Sequence, residues 1–204
     1  MKALLALSRL IDAANVVVGR SAAWLILVAV AVSATNAVVR KLFSISSNAW
    51  LELQWYLFGA VFLLTAGYTL LKNEHVRVDV LSQWLSQRTR AKIEIVGVLL
   101  FILPASIVIM WLSWDVFMDA FIHNEQSSNS GGLIRWPAKL LIPVGFAFLI
   151  AAAISHLIKS IGYLRGACAD PTQAVNNESS EEQLAEEISR LATEREQTSQ
   201  HRKS

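Results

Sequence analysis

Cysteine occurs once in the 204 residues, at Cys168, which excludes an internal disulfide framework and a thiolate metal cluster. Histidine is nearly as scarce. Of the four, only His156 lies in a long apolar run, with His75 and His123 in connecting segments and His201 in the tail, so the facing pairs that hold haem between helices are missing. No Gly-x-x-x-x-Gly-Lys-Ser/Thr loop is present to cradle nucleotide phosphates. The serines lack a base and an acid arranged around them, and no paired carboxylates fall in the middle of an apolar run, so hydrolysis and proton relay have no support. An internal repeat and a mid-span charge, two marks of a carrier that works alone, are also absent. Charged residues make up 17% of the chain and the net charge is +2, too little to imply a nucleic-acid partner.

What remains is apolar. Hydrophobic residues make up 54% of the sequence, gathered into runs, which is too much for an average soluble domain. The fold class expected is all-α integral membrane, with four transmembrane helices and interfacial amphipathic helices. Residues 1–20 carry Lys2, Arg9, Asp12 and Arg20, with Leu4, Leu7, Ile11, Ala14 and Val18 on one helical side, the pattern of an interfacial helix. A signal peptide is the rival reading, because small residues stand at Ala31-Val32-Ser33-Ala34; the acid before the apolar run and the Arg40-Lys41 flank oppose it. The first span is Ser21 to Val39, where Ala29, Ser33 and Ala37 recur at the four-residue spacing that lets another helix approach.

The second span, Trp50 to Leu71, has Trp50, Trp55 and Tyr56 at one end and Tyr68 at the other, as interfacial belts require. Glu52 lies one turn inside its start. It is either an acid hydrated near a helix N-terminus or, with Gln54, a group that faces another helix or a partner subunit. In the loop that follows, Val78, Leu81, Trp84 and Leu85 share one helical face, which predicts an amphipathic helix at about 78–91 lying flat on the interface. The third span, Ile93 to about Trp114, should kink at Pro104. Arg90 and Glu94 at its start are spaced as a solvated helix pair, and Asp115 and Asp119 near its end should reach water or pair with cations such as Arg135. After a turn at Ser127–Gly132, Trp136-Pro137 restarts the helix, and the fourth span runs from about Leu140 to Ile161; Pro143 either bends it or marks its true start. Residues 166–204 form an acidic tail without aromatic residues, expected to be mostly disordered.

Counting cations sets the orientation. With the N-terminus in the cytoplasm that side receives Lys2, Arg9, Arg20, Lys72, Arg77, Arg88, Arg90, Lys92, Lys159 and Arg165, against Arg40, Lys41, Arg135 and Lys139 on the other. Both termini are therefore expected inside, with the Ser44–Asn48 turn and the Ser127–Gly132 loop outside.

Several stretches together resemble one family. Glu52-Leu-Gln-Trp-Tyr-Leu-Phe, Gly67-Tyr68-Thr69-Leu70, His75-Val76-Arg77-Val78-Asp79-Val80-Leu81, Gly131-Gly132-Leu133 with Arg135-Trp136-Pro137-Ala138-Lys139, and Ile142-Pro143-Val144-Gly145-Phe146 are similar to the small membrane subunit of tripartite ATP-independent periplasmic (TRAP) transporters, the DctQ-like family. The resemblance covers roughly residues 10–165. Two positions depart from it: Ala152 stands where a glutamine is expected, and His156 where members often carry an acid. The resemblance implies a bacterial inner-membrane scaffold beside a large membrane subunit that moves an organic acid with sodium, the acid being delivered by a periplasmic substrate-binding protein. It implies no catalytic residue and no cofactor, and sodium is not expected to bind this subunit. His75, Arg77 and Asp79 would either anchor the cytoplasmic loop on the large subunit or start an interfacial helix. Arg135, Trp136, Pro137 and Lys139 would meet the binding protein or anchor the chain in membrane lipid. Glu52, Gln54, Trp55, Trp84 and Leu85 complete the candidate subunit or membrane interface. Two other classes stay open on the residues alone: a free-standing four-helix membrane enzyme or redox subunit, and a small homo-oligomeric channel.

Overall fold

Backbone amides in hydrocarbon find no water, so a chain this apolar closes its hydrogen bonds inside helices. The computed structural model describes residues 2–44, 47–72 and 86–166, together with residue 188. Its helices are α1 (Lys2–Phe43), α2 (Asn48–Leu71), α3 (Gln87–Gly97), α4 (Leu103–Ile122) and α5 (Trp136–Leu164), with a π-helical turn, Val98–Ile102, joining α3 to α4. Four are long and apolar enough to cross a membrane: Ala3–Phe43, Asn48–Leu71, Arg88–Ile122 and Trp136–Leu164. The protein is a four-span, all-helical membrane protein.

The boundary expected near Arg20 is absent. Helix α1 is unbroken for 42 residues, about 63 Å at 1.5 Å per residue. No proline interrupts it, and its first half has tertiary partners: Ser8, Asn15 and Ala22 are buried and Gly19 lies against Tyr68 of α2. Residues 2–20 are thus packed on the bundle and do not form a separate element. The helix expected at about 78–91 falls largely outside the described residues; from Gln87 onward the chain already belongs to the third span, which Ser86 caps by accepting the Thr89 N–H at 3.3 Å. The irregularity expected at Pro104 is the π turn just before it, where the ladder absorbs the missing proline donor. At Pro143 the helix continues, so α5 begins at Trp136 with Pro137 in its first turn, and the reading of Pro143 as a start is set aside.

Helix α5 is the centre. It packs on α1, α2, α3 and α4, and α1 packs on α2, whereas α2 and the α3–α4 helix scarcely meet. Gly19 against Tyr68 and Ser33 against Gln54 set α1 antiparallel to α2. Leu63 against Gly145 and Phe148 against Gly67 set α2 parallel to α5, which completes an up-down-up-down arrangement. Small residues make the close approaches: Ala29, Ala152 and Ala153 are fully buried, and Leu70, Val98, Ala152 and Ala153 form the core cluster. The position where glutamine was expected is therefore a point of tight helix contact.

Candidate functional site

Among the described residues, the buried charged groups gather at the two ends of the bundle, while the neutral side chains of Asn15 and Ser106 are buried nearer its middle. At the end carrying loop 123–135, Glu52 stands in the first turns of α2 at 3% exposure. The loop closes over it. An isolated antiparallel bridge joins Gln126 to Ile134, the Ser127 N–H donates to Leu133 O at 3.1 Å, and the Gly132 N–H donates to Asn129 O at 3.0 Å. This brings three donors to one carboxylate: Ser127 Oγ and Asn129 Nδ2, the latter at 2.9 Å, bond Oε1, and the Leu133 N–H bonds Oε2 at 2.6 Å. Bonds to an ionised acceptor are roughly twice as strong as neutral ones, and together they offset the desolvation of a buried charge. A Cβ on Gly132 would come within 2.7 Å of Glu52 Oε2 and overlap Ser127, so only glycine lets the loop descend this far.

One layer outward, Glu125 takes the cations. Lys139 bonds its Oε2, and Arg135 reaches Oε1 at 3.5 Å while its other amino group meets Ser128 Oγ at 3.2 Å. The bound Lys139 ammonium, with Arg135 beside it, holds the Glu125 carboxyl below its usual 4.5 against the opposing effect of burial. Arg135 thus pairs with Glu125 and not with Asp115 or Asp119; Asp119 instead bonds exposed His123 at 3.1 Å. Trp136 closes the loop edge-on against Phe121, with ring centroids 5.4 Å apart.

At the opposite end, where α1 begins and α5 ends, these two helices share a polar layer. Ser155 Oγ lies 2.7 Å from Ser8 Oγ and donates to Asp12 Oδ1, and Lys159 bonds Asp12 Oδ2. Across α5 from this layer, His156 Nε2 is 3.4 Å from Glu94 Oε2 on α3, and both side chains are largely buried. Among the described residues, no three His, Cys, Asp or Glu side chains gather to hold a metal ion.

Of the residues singled out in the sequence, Glu52 and Gln54 face the chain's own elements, Gln54 through the Ser33 hydroxyl of α1. Trp55 is half exposed and stacks edge-on with Tyr56 at 4.6 Å. Arg135, Trp136 and Lys139 share the Glu125 layer, and Pro137 is exposed in the first turn of α5. His75, Arg77, Asp79, Trp84 and Leu85 lie outside the described residues. Sequence reasoning passed over Glu125, Ser127 and Asn129, the Asp12–Ser155–Lys159 layer and the contact between Glu94 and His156. The donor-rich turn Ser127-Ser128-Asn129 was the one visible signal that an acid elsewhere needed partners.

Comparison with known families settles the assignment. The family model for the DctQ component of tripartite ATP-independent periplasmic transporters matches residues 29–162. The chain belongs to that family. No curated protein and no solved structure gave a match. As a DctQ component the chain is a multi-pass membrane protein, a TRAP transporter subunit and not an enzyme, from a family that works with other TRAP components. The DctQ match takes in Glu52, the whole loop 123–135 and the pair Glu94 and His156. It begins after Ser8, Asp12 and Asn15, so the polar layer on Ser155 and Lys159 ties an unmatched segment of α1 to the matched bundle.

Proposed function

We propose that this DctQ chain is the small permease subunit that frames the large membrane subunit of its transporter during sodium-driven uptake of organic acids. A periplasmic binding protein delivers the acid, and the large subunit carries it. One observation supports this reading most directly: the acids drawn into the bundle, Asp12, Glu52 and Glu94, meet this chain's own groups at its two ends, and among the described residues no charged side chain lies midway between them. A carrier places its ligands at mid-membrane between repeated halves, so the substrate and the sodium belong to the partner, and no cofactor is needed here.

The exterior fits a frame. Trp24, Phe62 and Trp111 are each at least 70% exposed on separate helices, a surface that only lipid or another membrane helix can cover. An apolar belt of this kind resists vertical displacement, because sliding would drag it into water. The cation count along the chain supports an inner-membrane placement with both termini cytoplasmic and loop 123–135 outside. On that outer face Arg135 and Lys139 are already engaged by Glu125, so a binding protein would meet a fixed, largely neutralised loop and not two extended cations.

Co-expression with the large subunit and purification through a tag on this chain tests the proposal. A stable heterodimer that requires both chains for uptake is expected. Vesicles holding this chain alone and accumulating an organic anion on a sodium gradient would overturn it.

A further inference from the structure

The π turn before Pro104 carries the third span past the proline without replacing its proton. In that turn the Leu103 N–H donates to Val98 O, five residues back. The next amide belongs to Pro104, which has no hydrogen, and that position would serve Leu99 O in the π register and Leu100 O in the α register. Leu103, the α-register donor for Leu99, is engaged by Val98. Two successive carbonyls are therefore left by the ladder without a donor. A hydroxyl three or four residues on could bond back to them, but positions 102–104 are Ile102, Leu103 and Pro104. Of the nearby hydroxyls, Ser106 is buried on the other side of the helix, and Ser113 donates to Met110 O at 3.1 Å.

Depth makes this costly. Along the helix Glu94 stands six residues before Leu100 and Asp115 fifteen after it, about 9 and about 22 Å away. Both carbonyls thus lie in hydrocarbon, where an acceptor left alone is strongly disfavoured and lipid tails carry no donor. The face around them is bare. Leu99 and Leu100 are exposed, and the exposed residues Phe101, Pro104, Val108 and Trp111 recur three and four apart, the spacing by which one helix seats on another. We propose that this face docks on a transmembrane helix of the large subunit, and that a hydroxyl or amide side chain of that helix donates to the Leu99 and Leu100 carbonyls. The inference rests on the reading of this chain as the small permease subunit. Lipid would cover the apolar side chains equally well but brings no proton; a helix does both. The carbonyl pair would also fix register, because a partner helix that slides along the seam loses its bond.

The test begins with the co-purified complex carrying a benzophenone amino acid in place of Phe101. Irradiation should join this chain to the large subunit, and sequencing the adduct should place it on a transmembrane segment with a serine, threonine, asparagine or glutamine within one turn of the labelled residue. Adducts to lipid, to a second copy of this chain or to a wholly apolar segment would each overturn the proposal. Pro104→Ala then returns an N–H to the ladder. In the isolated chain it should raise the unfolding temperature by about 2–4 °C. In the complex it should weaken the heterodimer by about tenfold, the share of one hydrogen bond. A proline with a merely structural role would not move the two in opposite directions, so an isolated chain that is not stabilised, or association that is unchanged or tighter, would overturn the proposal. Should the variant fail to fold, the adduct alone decides. Co-purification without an adduct to the large subunit sinks this inference and leaves the proposed function standing, whereas a wild-type chain that never co-purifies removes both.

Discussion

The backbone N–H of Leu133 donates to Glu52 Oε2 at 2.6 Å, tying the start of α2 to a residue 81 positions later. With Ser127 and Asn129 on the other oxygen, this carboxylate is what the loop folds around. Glu52→Ala should leave the loop's inward donors without an acceptor, and such buried orphans cost more than the bonds themselves contribute. The unfolding temperature in detergent should fall by roughly 5 °C or more, and loop 123–135 should become sensitive to protease before the helices do. Glu52→Gln keeps the shape but turns an amide NH₂ toward a donor, so it should also lose stability, by less.

The two glycines of the loop differ in a way that can be measured. Gly131 has φ +71° and open space around its Cα, so Gly131→Ala pays only the intrinsic cost of the left-handed region, about 1–2 kcal/mol. Gly132→Ala pushes a methyl group toward Glu52 Oε2 and Ser127, a crowding cost of about 1–3 kcal/mol. Combined with Glu52→Ala, the first should add and the second should not, because only Gly132 shares a contact with that carboxylate. Additive effects at both glycines would contradict the geometry.

The loop should also respond to acid. Lys139, then Arg135, holds the Glu125 carboxyl below 4.5, and a depressed acid contributes stability that is complete above its unfolded value and is lost as pH falls through the folded one. Trp136 fluorescence and loop proteolysis should therefore be flat near neutrality and change only below about pH 4.5. Lys139→Met removes the larger cause, so the transition should move to higher pH. A midpoint unchanged by that substitution would show that Lys139 does not set it.

How much of this could be read beforehand depends on the range of the cause. The spans are written in runs of local hydrophobicity, and Trp136-Pro137 marks the start of α5 by composition alone. Ser86 could not be placed this way: it lies inside the helix expected at about 78–91, and it caps the third span instead. The continuity of α1 was not legible, because Arg9, Asp12 and Arg20 look like an interfacial pattern until Ser155, Lys159 and Tyr68 are brought against that helix. Arg135 and Lys139 read as contacts for a binding protein or lipid, and Arg135 also as a partner for Asp115 and Asp119, for the same reason. Their partner, Glu125, sits in a segment whose composition says only turn, and it becomes an acceptor once the Gln126–Ile134 bridge folds it back. Glu94 and His156 are 62 positions apart in the numbering and meet only because α5 is central.

Of the described glycines, Gly67 has the closest neighbours, at the point where α1, α2 and α5 converge. A Cβ there would lie 2.9 Å from Phe148 O and would overlap Asn15 Oδ1, a buried atom with no hydrogen-bond partner. Asn15 is held by its own amide, which donates to Ile11 O at 3.1 Å, so it cannot swing away without losing that bond. Gly67→Ala should therefore cost about 1–3 kcal/mol, because one obstacle is backbone and the other is tethered. Gly59→Ala, eight residues earlier on the same helix with nothing within 4 Å of its added methyl, should leave stability unchanged and serves as the control. Adding Asn15→Ala to Gly67→Ala should recover part of the loss and not all of it, since Phe148 O stays in place; the coupling energy should be about 0.5–3 kcal/mol. Thermal unfolding of the wild type, Asn15→Ala, Gly67→Ala and the double variant in one detergent gives the cycle, with Gly59→Ala measured alongside. Equal unfolding temperatures for the two glycine variants would mean that α1 does not approach α2 and α5 as closely as Gly67 allows, and the unbroken α1 packed on the bundle would fall with it.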